Sequence, residues 1–207
     1  SEHSLYHHGE ASLNKAIVCM AQEFVGSNNI NILMPNGQFG TRLQGGKDSA
    51  SERYIYTLLN QLTSSLFIEH DSNVLDYLDD DGTMVEPEYY APIIPMILVN
   101  GCKGIGTGFS TDVLSYNPID LVNYIKMKIG SQDTSGVKLM PYYEGYNGKI
   151  VDLGEKKYLF KGIYEKIGPT IIRITELPVG VWTEDFKTNL EKLMETTDKK
   201  GKKITPV

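Results

Sequence analysis

The stretch that decides the fold runs from residue 9 to residue 46 and reads GEASLNKAIVCMAQEFVGSNNINILMPNGQFGTRLQGG. Apolar residues recur in it at steps of three and four, which predicts an amphipathic helix over about residues 9 to 24. Residues 30 to 34 then read as a short strand, and after a Pro-Asn-Gly turn residues 38 to 43 look extended. A helix followed by a strand, a turn and a second strand predicts a winged helix.

The glycine-rich segment Gly45-Gly46-Lys47-Asp48-Ser49 follows directly after this pattern. Two adjacent glycines give the backbone unusual freedom. We therefore expect this segment to form a flexible wing that can approach another backbone closely. Tyr54 comes shortly after it in the sequence.

Prolines punctuate the middle of the chain. Pro92 and Pro95 lie around the apolar run of residues 93 to 99, and we expect a buried extended segment there because prolines at these places argue against a helix. This segment leads into a glycine-rich loop at residues 101 to 108. Asn117 then caps a helix that has a proline at its first position.

The last part of the chain combines strands with a final helix. Three runs separated by glycine turns look like strands: residues 149 to 153, 158 to 164 and 170 to 175. A helix is expected from near Thr183, with apolar residues repeating along one of its faces. The sequence therefore predicts an α+β fold, with a boundary near residues 80 to 90, where an acidic stretch lies.

The charges are unevenly distributed along the chain. A net charge of −6 argues at first against nucleic-acid binding, because contacts to phosphates normally require an excess of lysine and arginine. Every full charge from Glu69 to Glu88 is negative, however, whereas Arg42, Lys47 and Arg53 cluster just upstream. Because the charges are segregated, one face of the molecule can still be basic.

The composition is that of a folded chain without a membrane span. The chain has 207 residues, of which 41% are hydrophobic, and this suffices for one large domain or two modest ones. No run approaches the roughly 18 apolar residues that a span needs, and the N-terminus lacks the pattern of a signal peptide. Cys19 and Cys102 lie in unlike settings, with no second pair for a zinc site. We therefore expect a soluble intracellular protein with reduced thiols.

Several short motifs are spread along the chain in a fixed order: Tyr6-His7-His8-Gly9-Glu10, Phe24-Val25-Gly26-Ser27-Asn28-Asn29, Gly45-Gly46-Lys47-Asp48-Ser49-Ala50-Ser51-Glu52-Arg53-Tyr54, Glu86-Pro87-Glu88-Tyr89-Tyr90, Pro92-Ile93-Ile94-Pro95-Met96, Asn100-Gly101, Gly104-Ile105-Gly106-Thr107-Gly108 and Thr175-Glu176-Leu177-Pro178. Together they resemble eukaryotic-type DNA topoisomerase II, a type IIA topoisomerase. The match runs nearly end to end, and its order and spacing make coincidence implausible. Glu52 stands where the family commonly has proline or alanine, and Cys102-Lys103 replaces a more usual Ala-Glu.

The resemblance implies two structural parts. Residues 1 to 85 would form a winged-helix (CAP-like) domain with the catalytic tyrosine. Residues 86 to 207 would form part of the tower domain, with a small, mostly antiparallel sheet and flanking helices. The family's ATPase, metal-binding and far-gate regions have no counterpart in this sequence, so we expect a fragment that is inactive alone. Mg²⁺ and ATP are implied as cofactors of the full-length enzyme, and none is expected on this segment.

The candidate nucleophile is Tyr54, one of 13 tyrosines. Breaking and resealing a DNA strand requires that the phosphodiester be stored as a covalent ester, and a tyrosine hydroxyl can do this. A phenol ordinarily loses its proton only near pH 10, so the reaction needs a base or a cation, and the phosphorus needs positive charge near its oxygens. By resemblance, Tyr54 joins the 5′ phosphate while a 3′ hydroxyl leaves, Arg53 stabilises the transition state, and His8 hydrogen-bonds the scissile phosphate.

Without the surrounding motif, Arg53-Tyr54 would read as an ordinary surface pair. Tyr56 is the competing nucleophile, and we expect it to be buried in the next element.

Further DNA contacts are expected around the start of the first helix. Tyr6, His7, Ser12 and Lys47 are candidates for contacts to DNA, helped by the positive end of the helix that begins near Gly9. Ser12 reads equally well as an ordinary exposed residue of a first helical turn. A metal site at the two adjacent histidines is not expected, because their side chains point in different directions and no carboxylate lies at ligand spacing.

The loop Gly104-Ile105-Gly106-Thr107-Gly108 allows three interpretations. As a phosphate cradle it lacks the spacing of both common nucleotide-binding patterns. By resemblance, Ile105 is a wedge that enters the minor groove, inserts between base pairs and bends the duplex. The plain alternative is a core isoleucine in a turn. Because the flanking glycines leave such a residue little to pack on, we favour the wedge.

The remaining expectations concern metal, partners and location. Asp79-Asp80-Asp81 imitates a magnesium motif, but the family's catalytic acidic residues lie in another domain, so we expect a solvated loop. The implied partner is double-stranded DNA, and cutting both strands needs two tyrosines and hence a homodimer of the full-length enzyme. The implied location is the nucleus if the source is cellular.

The alternative function is a winged-helix DNA-binding or architectural module without chemistry, in which Arg53 and Tyr54 only contact phosphates.

Overall fold

The computed structural model describes residue 6 and residues 8 to 194 of the protein. The helices of this part are α1 (Glu10–Ala21), α2 (Thr63–Leu66), α3 (Met96–Val99), α4 (Pro118–Ile129) and α5 (Thr183–Met194). The strands are β1 (Leu33–Asn36), β2 (Tyr56–Leu59), β3 (Tyr77–Asp80), β4 (Thr83–Pro87), β5 (Cys102–Gly106), β6 (Phe109–Val113), β7 (Lys149–Gly154), β8 (Lys157–Lys161), β9 (Ile163–Lys166) and β10 (Ile172–Glu176). Short 3₁₀ turns lie at Glu52–Tyr54 and Glu69–Asn73. Within the described residues, no helix has both the length and the apolar character needed to cross a membrane.

The strands form two-stranded antiparallel sheets, which pair β1 with β2, β3 with β4, β5 with β6, β7 with β8 and β9 with β10. The long segment of residues 37 to 55 joins β1 to β2, whereas the other pairs are hairpins with short turns. In the β3–β4 turn, Asp81 and Gly82 both have positive φ, 51° and 85°, which suits the right-handed twist of the paired strands. Helices combined with antiparallel pairs confirm the predicted α+β class.

The second strand of the predicted wing is absent, because residues 38 to 41 belong to no helix, strand or turn and residues 42 and 43 begin a turn. β1 pairs with β2, which follows the turn segment. Side chains bind the diverted backbone: Gln22 Nε2 donates to the Phe39 carbonyl at 2.9 Å, and the Thr41 N–H donates to Asp48 Oδ1 at 2.8 Å. These bonds supply the partners that a strand ladder would otherwise provide, so the backbone can turn without losing hydrogen bonds.

Helix α1 is shorter than the predicted residues 9 to 24. It ends at Ala21 because the backbone becomes extended at Gln22, with φ −64° and ψ 137°. Asn28 Nδ2 donates to the carbonyls of Cys19 at 2.7 Å and Gln22 at 2.9 Å. The asparagine thus binds carbonyls that the end of the helix leaves without a helical partner.

A single helical turn, α3, corrects the expectation of an extended segment at residues 93 to 99. Pro95 lies directly before the turn, and its carbonyl accepts the Val99 N–H at 3.2 Å. A proline is tolerated at this place because the first N–H groups of a helix have no helical partner. The expectation of a loop at residues 101 to 108 is also wrong, because most of these residues lie in strand β5 of the β5–β6 hairpin.

The C-terminal elements follow the sequence pattern closely. Helix α4 begins at Pro118 after its Asn117 cap, and α5 begins where predicted. The predicted strand at residues 158 to 164 divides at Gly162 into β8 and β9, which belong to different sheets. A Cβ at Gly162 would lie 2.2 Å from the Glu176 carbonyl oxygen, so a glycine is needed where the chain passes β10 so closely.

Two hydrophobic cores hold the described part of the chain together. The first is formed by Leu66, Ile94, Val99 and Leu121. The second is formed by Ala21, Phe39 and Ile55. The first core contains residues from both sides of position 85, and the division into residues 1 to 85 and 86 to 207 stays a prediction.

Asparagine side chains connect segments that are distant in the sequence. Asn29 Nδ2 lies 2.8 Å from the Val99 carbonyl oxygen, 3.2 Å from that of Tyr116 and 3.0 Å from that of Tyr142. Asn100 Oδ1 in turn accepts the Asn29 N–H at 3.0 Å. Both asparagines belong to motifs that carry the family resemblance, and here they satisfy backbone groups of the interior.

Candidate functional site

Tyr54 lies at the end of a 3₁₀ turn, and its side chain is 70% exposed. Its N–H donates to the Ser51 carbonyl at 2.9 Å. The next residue, Ile55, is buried in the second core against Ala21 and Phe39. The hydroxyl of Tyr54 is therefore presented to solvent from a backbone that is fixed on both sides.

Arg53 lies beside this tyrosine. Its guanidinium carbon is 5.5 Å from the centroid of the Tyr54 ring. Among the described residues, no carboxylate forms an ion pair with Arg53. A guanidinium that is exposed and not neutralised can bind a phosphate oxygen next to the tyrosine hydroxyl.

Tyr56 is exposed, and the expectation that it is buried is wrong. Its side chain is 71% accessible at the start of β2. The reason is that β2 pairs only with β1, and a two-stranded sheet without a covering layer leaves side chains open to solvent. Exposure alone therefore does not separate Tyr54 from Tyr56, but only Tyr54 has the arginine over its ring.

The residues before α1 form a small aromatic pair. The rings of Tyr6 and His8 are 5.4 Å apart between centroids, with an angle of 69° between their planes. Ser12 is exposed in the first turn of α1, where its N–H donates to the Gly9 carbonyl at 2.9 Å. His7 lies outside the described residues. Their roles in DNA binding stay predictions.

A groove of about 550 Å³ separates α1 from the glycine loop, which we define as residues 41 to 48. Lys47 lines this groove and is exposed, and Lys15 faces it from the helix. Glu52, the residue directly before Arg53, also lines the groove. The structure thus places Lys47 beside α1 in a groove whose lining reaches the residue before Arg53.

The glycine loop is closely packed, which corrects the expectation of a flexible wing. Gly45 has a φ of +64°, and a Cβ there would lie 2.2 Å from the Trp182 ring. Gly46 has a φ of +81°, and a Cβ there would lie 2.4 Å from Gln22 Nε2. The Thr41 hydroxyl and N–H hold the pKa of Asp48 below its usual range, so this carboxylate stays ionised as a loop anchor. Glycine is required at 45 and 46 by close contact within the chain.

This packing predicts a large effect of a single methyl group. We expect Gly45→Ala to lower the free energy of unfolding by about 3 kcal/mol or more, because positive-φ strain and overpacking against Trp182 add together. Gly82→Ala is the matched control, because Gly82 has a φ of +85° but no atom within 4 Å of the place that a Cβ would take. It should lose only about 1 to 2 kcal/mol. Urea unfolding of the chain measures both, and equal losses would contradict the packing argument.

An ion pair that the sequence analysis did not identify joins this loop to the far end of the chain. Arg42 Nη1 lies 2.5 Å from Glu176 Oε1 in ion-pair geometry, and Arg42 Nη2 donates to the Leu177 carbonyl at 2.6 Å. Glu176 Oε2 accepts the Asn147 N–H at 3.2 Å. Glu176 belongs to the Thr175-Glu176-Leu177-Pro178 motif, but its partner lies 134 positions earlier and no local pattern points to it.

Ile105 is 94% exposed at the free end of the β5–β6 hairpin, so the alternative of a core isoleucine is wrong. It lies opposite Ser110, whereas Phe109 lies opposite Gly106. Cross-strand partners share a face, so Ile105 and Phe109, which is 85% exposed, project from opposite faces. A paired hairpin does not offer the loop before a helix N-terminus that nucleotide phosphates bind, which removes the nucleotide-cradle interpretation.

The acidic triplet Asp79-Asp80-Asp81 belongs to the β3–β4 hairpin, and only Asp81 lies in its turn. The expectation that all three residues form a solvated loop is therefore wrong. Asp79 and Asp80 lie in β3, and Asp79 Oδ1 accepts the Gly82 N–H at 2.6 Å. In the described part of the chain, no group of three or more histidine, cysteine or acidic side chains is arranged to hold a metal ion.

A solved structure shares this fold. The structure resembles the crystal structure of the Plasmodium falciparum topoisomerase II DNA-binding, cleavage and re-ligation domain, with a TM-score of 0.91 and 48% identity. The likeness covers 94% of this chain and 26% of that chain. The class is therefore that of the type II topoisomerases.

The family follows from the sequence comparison. The model of the family formed by the A subunits of DNA gyrase and topoisomerase IV matches residues 2 to 207, and the chain belongs to this family. It is 52% identical over 202 residues to DNA topoisomerase 2 top-2 of Caenorhabditis elegans, covering 97% of this chain and 13% of that protein. DNA topoisomerase 2 of Arabidopsis thaliana is 50% identical over 194 residues, covering 92% of this chain and 13% of that protein. The chain thus spans a small part of the length of these relatives.

Proposed function

We propose that this chain is the DNA-binding and strand-cleaving segment of an ATP-dependent type II DNA topoisomerase, with Tyr54 as its nucleophile. The observation that carries the proposal is the exposed Tyr54 ring with the Arg53 guanidinium carbon 5.5 Å from its centroid, on a turn anchored by buried Ile55. Similarity to the Plasmodium falciparum domain, which is named for DNA binding, cleavage and re-ligation, supports it.

The reaction conserves the energy of the bond that it breaks. Tyr54 Oη attacks a backbone phosphorus, a tyrosine–phosphate bond forms at the 5′ end, and the bond to the 3′ oxygen breaks. The phenol proton passes to a base or water, and the 3′ oxygen leaves as a hydroxyl after taking up a proton. The reverse attack by that hydroxyl reseals the strand and releases the tyrosine.

The neighbouring side chains stabilise charge and hold the duplex. Arg53 donates to the non-bridging oxygens as negative charge develops on them. His8 hydrogen-bonds the scissile phosphate. Phosphates on either side are bound by the remaining predicted contacts: Tyr6, His7, Ser12 and Lys47. Two observations support this arrangement. Lys47 is exposed beside the groove, and the rings of Tyr6 and His8 pack against each other.

Cofactors and partners belong to the whole protein. Mg²⁺ and ATP serve regions outside this chain, and we assign no step to either here. Cleavage of both strands of a double helix requires two copies of Tyr54, so we propose a homodimer that acts on double-stranded DNA. Because the substrate is DNA, we propose an intracellular location, which is the nucleus if the source is cellular.

A test of the proposal is capture of the covalent intermediate. The full-length protein is incubated with Mg²⁺ and a duplex labelled at its 3′ ends, which stay on the fragments joined to Tyr54. The mixture is then denatured with detergent and run on a denaturing gel. Label that migrates with the protein supports the proposal. Label that binds under native conditions but never migrates with denatured protein supports a winged-helix binding module without chemistry instead.

We further propose that Ile105 is a wedge that bends the duplex. The 94% exposure of this apolar side chain at the end of a hairpin supports the proposal, because nothing in the described part of the chain covers it. Driving an apolar side chain into a base step costs a few kcal/mol of stacking, which is offset when the bent duplex contacts more protein.

Ile105→Ala is therefore expected to straighten bound DNA. Energy transfer between dyes at the two ends of a short duplex should report a smaller bend angle, and adduct formation should fall because the scissile phosphate drifts from Tyr54. Affinity should fall only modestly, since phosphate contacts persist. Phe109→Ala is the matched control on the opposite face of the same hairpin and should leave the bend angle unchanged. A fully bent duplex with Ile105→Ala would exclude the wedge.

A further inference from the structure

The glycine loop, residues 41 to 48, is fastened by a segment from the other end of the chain, residues 176 to 184, which we name the latch. The Arg42–Glu176 ion pair is the charged part of this contact. The side chain of Glu176 is only 5% exposed and that of Arg42 24%. Burying the Glu176 carboxylate costs free energy unless a cation lies against it, and Arg42 is the cation that does so.

The latch holds the loop at further points along its length. The Leu177 carbonyl accepts Arg42 Nη2 at 2.6 Å, and the Glu184 N–H donates to the Leu43 carbonyl at 3.1 Å. The Trp182 ring fills the space that a side chain at Gly45 would need. Charge, backbone hydrogen bonds and an aromatic ring thus fix successive residues of the loop, which leaves it little freedom to shift.

Only the short segment of residues 49 to 53 separates the glycine loop from the nucleophile. The Ala50 N–H donates to the Gln38 carbonyl at 2.9 Å, and the Tyr54 N–H donates to the Ser51 carbonyl at 2.9 Å. These bonds limit how far the segment can rearrange by itself, so we expect a displacement of the loop to reach Tyr54 through the chain. Misplacing a reacting group by about 1 Å can slow a reaction on the order of a hundredfold.

We propose that the latch positions Tyr54 for attack, with Arg42 and Glu176 as positioning residues that do not touch DNA. This inference rests on the proposed function. In this arrangement the segment that carries the nucleophile moves as one unit with strand β10, which ends at Glu176. Breaking the latch loosens the loop and slows the chemical step. Of the proposed DNA contacts only Lys47 lies on the loop, so the contacts outside it remain in place and Kd changes little.

The test compares two glutamate-to-glutamine variants of the full-length protein. Glu176→Gln removes the charge from the latch and keeps the shape of the side chain. Glu165→Gln is the matched control, because Glu165 pairs with Arg173 at 2.9 Å on the surface, with side chains 52% and 59% exposed. Arg42→Lys is a second latch variant, since lysine retains the ion pair but cannot also donate to the Leu177 carbonyl in the same geometry.

Two measurements are made on each variant below its unfolding temperature. The first is the rate of covalent adduct formation at saturating duplex, with Kd determined separately. The second is trypsin cleavage after the exposed Lys47, which needs no DNA. Both glutamine variants retain every lysine and arginine, so cleavage rates after Lys47 compare directly. A variant that merely folds less well would lose adduct formation and DNA affinity together, whereas a positioning defect lowers the rate and leaves Kd unchanged.

We expect Glu176→Gln to slow adduct formation on the order of tenfold with Kd unchanged within about twofold, and to speed cleavage after Lys47. Arg42→Lys should show a smaller slowing, and Glu165→Gln neither effect. If the Glu176 and Glu165 variants behave alike, or if Glu176→Gln changes only Kd, the latch proposal is overturned while the proposed function stands. If the parent protein forms no adduct, the proposed function fails, and the positioning role fails with it.

Discussion

Replacing Tyr54 by phenylalanine in the full-length protein is expected to remove covalent adduct formation while leaving DNA affinity nearly unchanged. The change deletes the oxygen that attacks phosphorus and almost no contact area. Loss of a catalytic nucleophile lowers rates by more than about 10⁴-fold. A detergent-denatured gel with labelled duplex measures the adduct, and a native titration measures the affinity.

Tyr56→Phe is the matched control for this prediction. The two tyrosines are almost equally exposed, at 70% and 71%, and lie two positions apart. Tyr56→Phe should therefore form adduct at the parent rate. Adduct formation that survives in Tyr54→Phe and disappears in Tyr56→Phe would transfer the nucleophile to Tyr56.

Arg53→Ala is expected to slow adduct formation by about a hundredfold or more, the usual scale for losing a charge contact in a transition state. The effect should appear at saturating DNA, because Arg53 acts on charge that develops during attack. Arg53→Lys should recover part of the rate, since lysine restores the charge without the two-pronged geometry. Single-turnover kinetics of adduct formation measure all three proteins.

Arg173→Ala provides the control for a general loss of positive charge. Arg173 is 59% exposed on β10 and pairs with Glu165. Its removal should leave the rate unchanged. If Arg53→Ala weakens DNA binding but cleaves at the parent rate once saturated, Arg53 is only a positioning contact for the duplex.

Local signals predicted those elements that local interactions determine. The start of α4 was predictable because an asparagine followed by a proline both caps and preorganises a first turn, and the Asn117 side chain accepts the Ile119 N–H at 2.8 Å. The helix near Thr183 was predictable from the repeat of apolar residues along one face. The α+β class follows from the same reasoning.

Features that depend on distant partners were missed or misread. Residues 38 to 43 look extended in isolation, but they form no strand, and the Phe39 carbonyl accepts a hydrogen bond from the distant Gln22 side chain instead of from a neighbouring strand. Gly45 looks like a flexible hinge until Trp182 is placed against it. The Arg42–Glu176 ion pair joins two ordinary charged residues that no spacing rule connects.

The candidate site was predictable chiefly through the family resemblance. A tyrosine beside an arginine is too common a pair to identify a nucleophile, and 13 tyrosines compete for the role. Solvent exposure of Tyr56 depends on how many strands β2 pairs with, which the sequence does not state. The identity of the nucleophile stays a prediction that the two tyrosine variants decide.

The hairpin architecture has a consequence for the order of folding events. The β3–β4, β5–β6, β7–β8 and β9–β10 pairs each connect neighbours in the sequence. Such hairpins close within about 1 to 10 μs, because little chain entropy is lost in each closure. The Asn29 contacts to Val99 and Tyr142 span 70 and 113 positions. Because long-range contacts lose more chain entropy than hairpin closure, we expect the asparagine contacts to form later and more slowly than the hairpins.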